Sequence, residues 1–297
     1  MLECIGGENQ DNRRKYKQKM SNHSIQIVLV LYKQKLENSL SYKTLCKHIS
    51  ILSCNYELLI YNNSSEICVE ENSSYIMVNS KQNVMLAGAY NYALQRAIEN
   101  NHKWLLLLDQ DTYLSREYFE QINKALLYEN VVAIIPKLFS KQIQLSPKSY
   151  YPLFGPWIKM ININKNGIIK NKTIQAFNTA ALFSVDALSK TGGFPVDFPL
   201  DGLDTYVFYM LGKSKEQFYL MNVDLQHDLS VLDYRNNMTI QRYISIIDSE
   251  YRFSKLLGIV SIMLFKFRLI LRLLAQLIIK EKRLYISLTI KYFCKIN

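Results

Sequence analysis

Trp104-Leu-Leu-Leu-Leu-Asp-Gln-Asp-Thr112 decides the fold of this chain. Five hydrophobic residues run directly into two carboxylates one residue apart. A short, uninterrupted apolar run reads as a strand buried on both faces, as in a parallel sheet. Asp109 and Asp111 then lie where the strand ends, and open α/β sheets bind ligands at the carboxyl ends of their strands. Two neighbouring carboxylates repel each other and are costly to bury without a cation between them. Hard oxygen ligands suit Mg²⁺ or Mn²⁺, and such an ion commonly completes its shell with phosphate oxygens. An ordinary loop with turn-forming Asp has the same local spelling.

Working outward, Ile25–Tyr32, Tyr56–Tyr61, Tyr75–Val78, Val131–Ile135 and Phe218–Val223 read as further strands, with Pro136 ending the fourth of these. Phe177–Phe183 reads as a buried strand as well. Helices are expected over 33–53, 84–99, 115–128 with Ser115 as cap, 185–191 stopped by Gly192-Gly193, 205–212 and 236–257. Residues 137–176, broken by Pro147, Pro152 and Pro156, are expected to be irregular. Alternation of strands and helices predicts an α/β sandwich with a mostly parallel sheet. Neither Gly-x-Gly-x-x-Gly nor Gly-x-x-x-x-Gly-Lys occurs, which removes support for dinucleotide and P-loop chemistry.

The 297 residues are 49% hydrophobic and 21% charged, enough for a sizeable core and unlike a disordered chain. Five scattered Cys without metal-ligand spacing read as free thiols in a reducing compartment. Residues 1–24 are polar, carry Arg13-Arg-Lys15, and read as a disordered basic lead rather than a secretory signal. The net charge of +11 is uneven, with nine Lys and Arg against one Glu from Lys255 to Asn297. Along and just past 256–279, Arg268, Arg272, Gln276 and Lys280 recur every four residues on an otherwise apolar helix. A basic stripe beside a broad apolar face suits an anionic membrane interface; packing on the core with the stripe exposed is the alternative. The run is too short and too charged to span a bilayer.

These pieces resemble a family 2 glycosyltransferase of the GT-A fold, with the flavour of the rhamnosyltransferase-like enzymes of bacterial surface polysaccharide synthesis. The matching segments run from about Ile25 to Ser230. The first strand, ending at Tyr32, resembles the family's nucleotide-contacting strand. Ile60-Tyr-Asn-Asn-Ser-Ser65 resembles Asp-Asn-x-Ser, and Asn83-Val-Met-Leu-Ala-Gly-Ala-Tyr-Asn91 resembles Asn-x-Gly-x-Ala-x-Ala-x-Asn. Leu108-Asp-Gln-Asp-Thr112 resembles the metal motif, with the central Gln usual in that subgroup. Gly192-Gly-Phe194 followed by Leu200-Asp-Gly-Leu-Asp-Thr205 resembles the acceptor-side segment, and His227 lies where the family often has a His. Asn62 replaces a usual Asp, and Met85 a common Gly.

The resemblance implies inverting transfer of a sugar from a nucleotide-diphosphate donor to a glycan or polyprenyl-linked acceptor, at the inner face of the cytoplasmic membrane. It implies a divalent cation on Asp111, with Asp109 and His227 as further ligands. Tyr32, Asn62, Asn83, Asn91, Asp109 and Gln110 become candidates for nucleotide-sugar contacts, as does Asn63. Asp201 and Asp204 become candidates for the general base that an attacking hydroxyl needs, with Asp201 favoured. Asp204 also reads as a helix cap. The implied organisation is a basic lead over 1–24, a GT-A domain over 25–235 and a helical, membrane-interfacial region over 236–297. A nucleotidyltransferase of similar fold is the rival, although the loop after the first strand lacks glycines. A nucleic-acid-binding face is disfavoured, because the charge concentrates on an apolar helix.

Overall fold

The computed structural model describes residues 23–295 except 158, 171, 215 and 228–237. The basic lead, up to residue 22, and the domain boundary expected at 235/236 lie outside the described residues.

Among the described residues the strands are β1 (Ser24–Leu31), β2 (Asn55–Asn62), β3 (Ile76–Asn79), β4 (Trp104–Leu108), β5 (Val131–Ser140), β6 (Ile143–Ser146), β7 (Lys148–Ser149), β8 (Ile161–Asn162), β9 (Gly167–Ile169), β10 (Ile174–Gln175), β11 (Leu182–Ser184) and β12 (Gln217–Gln226). The helices are α1 (Leu40–His48), α2 (Met85–Glu99), α3 (Arg116–Ala125), α4 (Val185–Lys190), α5 (Leu203–Gly212), α6 (Ile240–Leu257), α7 (Ile259–Ile278) and α8 (Ile286–Lys295). The main sheet runs β3-β2-β1-β4-β11-β5-β12-β9, with β6 paired to β5. β2, β3 and β4 join β1 in parallel pairing, directly or through β2, and β12 is parallel to β5. β11 is antiparallel to both β4 and β5. The mixed, mostly parallel sheet flanked by helices matches the expected fold class.

The reading of β4 as buried on both faces has a direct physical form. Leu105 and Leu107 join a core shared with α2, α4 and α5, whereas Trp104, Leu106 and Leu108 join a core shared with α1 and α3. A side-chain period of two delivers one strand to both layers. Ser115 caps α3, its hydroxyl accepting from the Tyr118 N–H.

Several boundaries differ from expectation. β5 continues through Pro136, because the pairing with β12 slips between Leu220 and Asp224, and a proline without an N–H fits such an irregularity. β11 begins only at Leu182; Asn178–Ala181 turns first, with Ala180 at φ 58°. The segment 33–53 is one short α-helix between two 3₁₀ turns. The stretch 137–176 carries β6 to β10, including a small sheet of order β10-β7-β8.

The C-terminal stretch departs most. Gly258, at φ 96°, breaks it into α6 and α7. Arg268 donates to the Pro156 and Trp157 carbonyls and lies 5.3 Å from the Trp157 ring centre. Arg272 forks onto both Glu250 oxygens at 3.0 and 2.8 Å, and Gln276 donates to the Tyr243 hydroxyl. The expected outward basic stripe therefore faces inward at these three positions. Each group has a fixed partner there, which offsets the cost of leaving water. Among the described residues no helix is long and apolar enough to cross a membrane.

Candidate active site

The carboxyl ends of β1, β2 and β4 open into a cleft of about 540 Å³, lined also by the start of α5 and by Arg242 of α6. This size suits a small-molecule ligand. A wider groove of about 1010 Å³ lies by the opposite strand ends, at Trp104 and Val131, away from the carboxylates.

Asp109 leaves β4 with its N–H donated to Thr179 Oγ1 at 3.2 Å, and its carboxylate accepts from the Tyr90 hydroxyl at 3.0 Å. Burial, then the adjacent Asp111 charge, holds the Asp109 carboxyl above its ordinary range, against the opposing effects of His227, Tyr90 and Thr179. Asp111 is exposed, and its Oδ1 lies 3.7 Å from His227 Nδ1. His227 is buried at the end of β12, its N–H on the Phe139 carbonyl and its Nδ1 3.1 Å from Thr112 Oγ1. One ligand atom each from Asp109, Asp111 and His227 lies within 4.8 Å of the others. Two carboxylate oxygens and an imidazole nitrogen fit a hard divalent cation.

α5 starts at Leu203 after Gly202, whose φ of 75° replaces a side-chain cap. A Cβ at Gly202 would stand 2.9 Å from Ser249 Cβ, so the turn also requires the smallest residue for space. Asp204 is thus inside the first turn, not the cap. Its carboxyl is pushed up to about 7, chiefly by burial and then by the Asp109 charge, with a hydrogen bond from the Asn178 backbone opposing. Asp201 lines the cleft too, but one of its oxygens is 2.9 Å from Arg242 Nη2. Burial raises its carboxyl, and Ser245 and Arg242 lower it.

The cleft brings together Tyr32, Asn83, Asp109, Gln110, Asp111, Asp201, Asp204 and His227, with Asn63. Gln110 Oε1 accepts the Tyr32 N–H at 2.9 Å, tying the end of β1 to the segment between the two carboxylates. Asn62 and Asn91 are not brought in. Asn62 is fully buried and donates to the Ile67 carbonyl and to Asn79 Oδ1. Asn91 donates to the Phe194 carbonyl and accepts the Phe194 N–H, clamping the loop after α4 to α2. Both side chains hold neighbouring chain segments, and neither lines the cleft. Met85, in place of the common Gly, adopts φ 60° on the cleft wall.

Tyr90, Thr112, Thr179 and Arg242 escaped the sequence reading. Tyr90 carried a signal, since it shares the buried face of Ala87, Ala93 and Ala97, where a phenol needs a partner for its hydroxyl. Arg242 carried none, being far along the chain from the carboxylate it meets.

No curated protein sequence matches the chain. Among solved structures, it is similar to S. aureus TarS 1-349, with TM-score 0.47, 10% identity and coverage of 78% of this chain and 73% of that one. Longer S. aureus TarS gives TM-score 0.48 at 10% identity, covering 92% of this chain and 54% of that one. TarS 1-349 in complex with UDP gives 0.43 at 10%, covering 77% and 65%. At these values the likeness places none of this chain's chemistry. The profile of Glycosyl transferase family 2 matches residues 36–192, just over half of the chain and inclusive of Asp109 and Asp111. The chain belongs to glycosyl transferase family 2 and is a glycosyltransferase.

Proposed function

We propose that the enzyme transfers a sugar with inversion from a nucleotide-diphosphate donor to a glycan or polyprenyl-linked acceptor in bacterial surface polysaccharide synthesis, with rhamnose the sugar of first choice. The observation that carries this reading is the gathering of Asp109, Asp111 and His227 within 4.8 Å at the strand ends, with Asp204 lining the same cleft from α5.

In this reading Asp109, Asp111 and His227 hold Mg²⁺ or Mn²⁺, which supplies Lewis-acid stabilisation of the departing diphosphate. Tyr32, Asn63, Asn83 and Gln110 contact the nucleotide. Asp204 is the general base: it accepts the proton of the acceptor hydroxyl as that oxygen bonds to the anomeric carbon and the bond to diphosphate breaks. Asp201 was the first choice from sequence, but one of its oxygens is committed to Arg242. It is assigned to orienting the acceptor. The catalytic domain is taken as 25–235 and the helical region as 236–297, working against an anionic surface at the inner face of the cytoplasmic membrane.

The test is nucleotide-diphosphate release across a panel of dTDP-, UDP- and GDP-sugars, with Mn²⁺, Mg²⁺ or chelator. Metal-dependent turnover of one donor, lost in Asp111→Ala, is the expected result. Failure to bind any nucleotide sugar, with or without metal, would overturn the reading.

A further inference from the structure

The inward turn of Arg268, Arg272 and Gln276 leaves α7 with a solvent face made of hydrocarbon. Met263, Phe267, Ile270, Leu274, Leu277 and Ile278 are between 42% and 80% exposed. At 100° per residue these positions share one arc, and Ser261, Arg268, Arg272 and Gln276 share the opposite one. The arc follows all 20 residues of the helix, about 30 Å.

We propose that this face of α7 lies flat in the apolar layer of a lipid membrane, so that docking is driven by hydrocarbon contact rather than by the helix's arginines. Two observations favour a bilayer over a second copy of the chain. The exposed arc, which Leu271 widens to about 120° and Ile259 and Val260 carry to the first turn, is broader than a helix-pairing seam. Its surroundings are cationic, with Lys280, Arg283 and Lys291 exposed beyond its end and Glu281 the one acid from Lys255 onward. Like charges disfavour self-pairing, whereas anionic headgroups complement them. Insertion is parallel to the surface, because no described helix can span. The proposal rests on the membrane-facing acceptor reading above and adds the mode of attachment.

Flotation of full-length protein tests it, on vesicles of phosphatidylcholine alone and with 30% phosphatidylglycerol, in 0.1 M and 1 M NaCl. Wild type is expected to float in both salts, with anionic lipid adding only a few-fold. Phe267→Glu and Leu274→Glu are each expected to weaken binding about tenfold. Both positions are exposed, so the fold is retained, and donor hydrolysis without vesicles checks this. Wild type remaining in the soluble fraction would overturn the proposal. So would binding abolished by 1 M NaCl, or a dimer in solution that the Glu variants dissociate. A protein that hydrolyses donor but does not float defeats the docking alone; one that floats but turns over no donor defeats the chemistry alone.

Discussion

Arg242 Nη2 lies 2.9 Å from Asp201 Oδ1, so α6, from the C-terminal helices, reaches into the cleft and holds one of its carboxylates. The pair is largely buried, with side chains 30% and 10% exposed. Arg242→Ala leaves Asp201 without its counter-charge and is expected to cost about 2–4 kcal/mol of stability. Transfer should fall with it, while Arg242→Lys restores part of both. Denaturant unfolding beside transfer rates checks this.

Asp204, the proposed base, would link catalysis to stability. Its carboxyl titrates at about 7 in the folded, metal-free chain, above the unfolded value near 4. Between those values the folded state holds a proton that the unfolded state has lost. Stability from this group is complete below about pH 4 and gone above about pH 7, a loss on the order of 4 kcal/mol. Asp204→Asn should therefore raise the melting temperature of metal-free protein at pH 8 and leave it little changed at pH 4. The same variant is expected to lower transfer by 10²–10⁴-fold.

Asp111→Ala and His227→Ala remove proposed metal ligands of different character. Asp111 is exposed and His227 is buried against Thr112. Mn²⁺ titration by calorimetry should show affinity lost in Asp111→Ala with the melting temperature kept, because no core contact goes. His227→Ala should lower both, by about 1–3 kcal/mol in stability, since Thr112 Oγ1 loses one of its two buried side-chain partners and keeps only Thr179.

Met85 bears a left-handed φ of 60° and is 39% exposed. Glycine accepts that conformation without a Cβ clash. Met85→Gly is expected to stabilise the chain by up to about 1 kcal/mol, read as a higher melting temperature.

Asn91 separates a structural role from a ligand role. Both polar atoms of its side chain engage Phe194. Asn91→Ala should cost about 1–3 kcal/mol in unfolding free energy with donor KM unchanged at temperatures where the variant is folded. A raised KM with unaltered stability would return Asn91 to the nucleotide site.

Residues whose local period mirrors their burial were legible in sequence: the Trp104–Leu108 strand, the capped helix after Ser115 and the carboxylates after Leu108. The strand-end position of Asp109 and Asp111 follows from that pattern alone. What sequence left hidden depends on distant partners. The partners of Asn62 and Asn91 were hidden, because an amide looks the same in sequence whether it meets a ligand or the chain itself. The orientation of α7 was inverted because periodicity gives a polar stripe without saying that Glu250 and Trp157 await it. Only Tyr90 could have been found, as the one polar-tipped residue amid buried alanines.

β11, running antiparallel between β4 and β5, bears on how the domain is assembled during synthesis. The first five strands emerge with a slot at the middle of their sheet, and the strand that fills it is made more than forty residues after β5. A nascent chain ending near residue 160 would carry unpaired edges on both β4 and β5, the kind of surface that recruits other strands. Release of soluble domain should begin only once Ser184 has cleared the ribosome, so early fragments aggregate where slightly longer ones begin to fold.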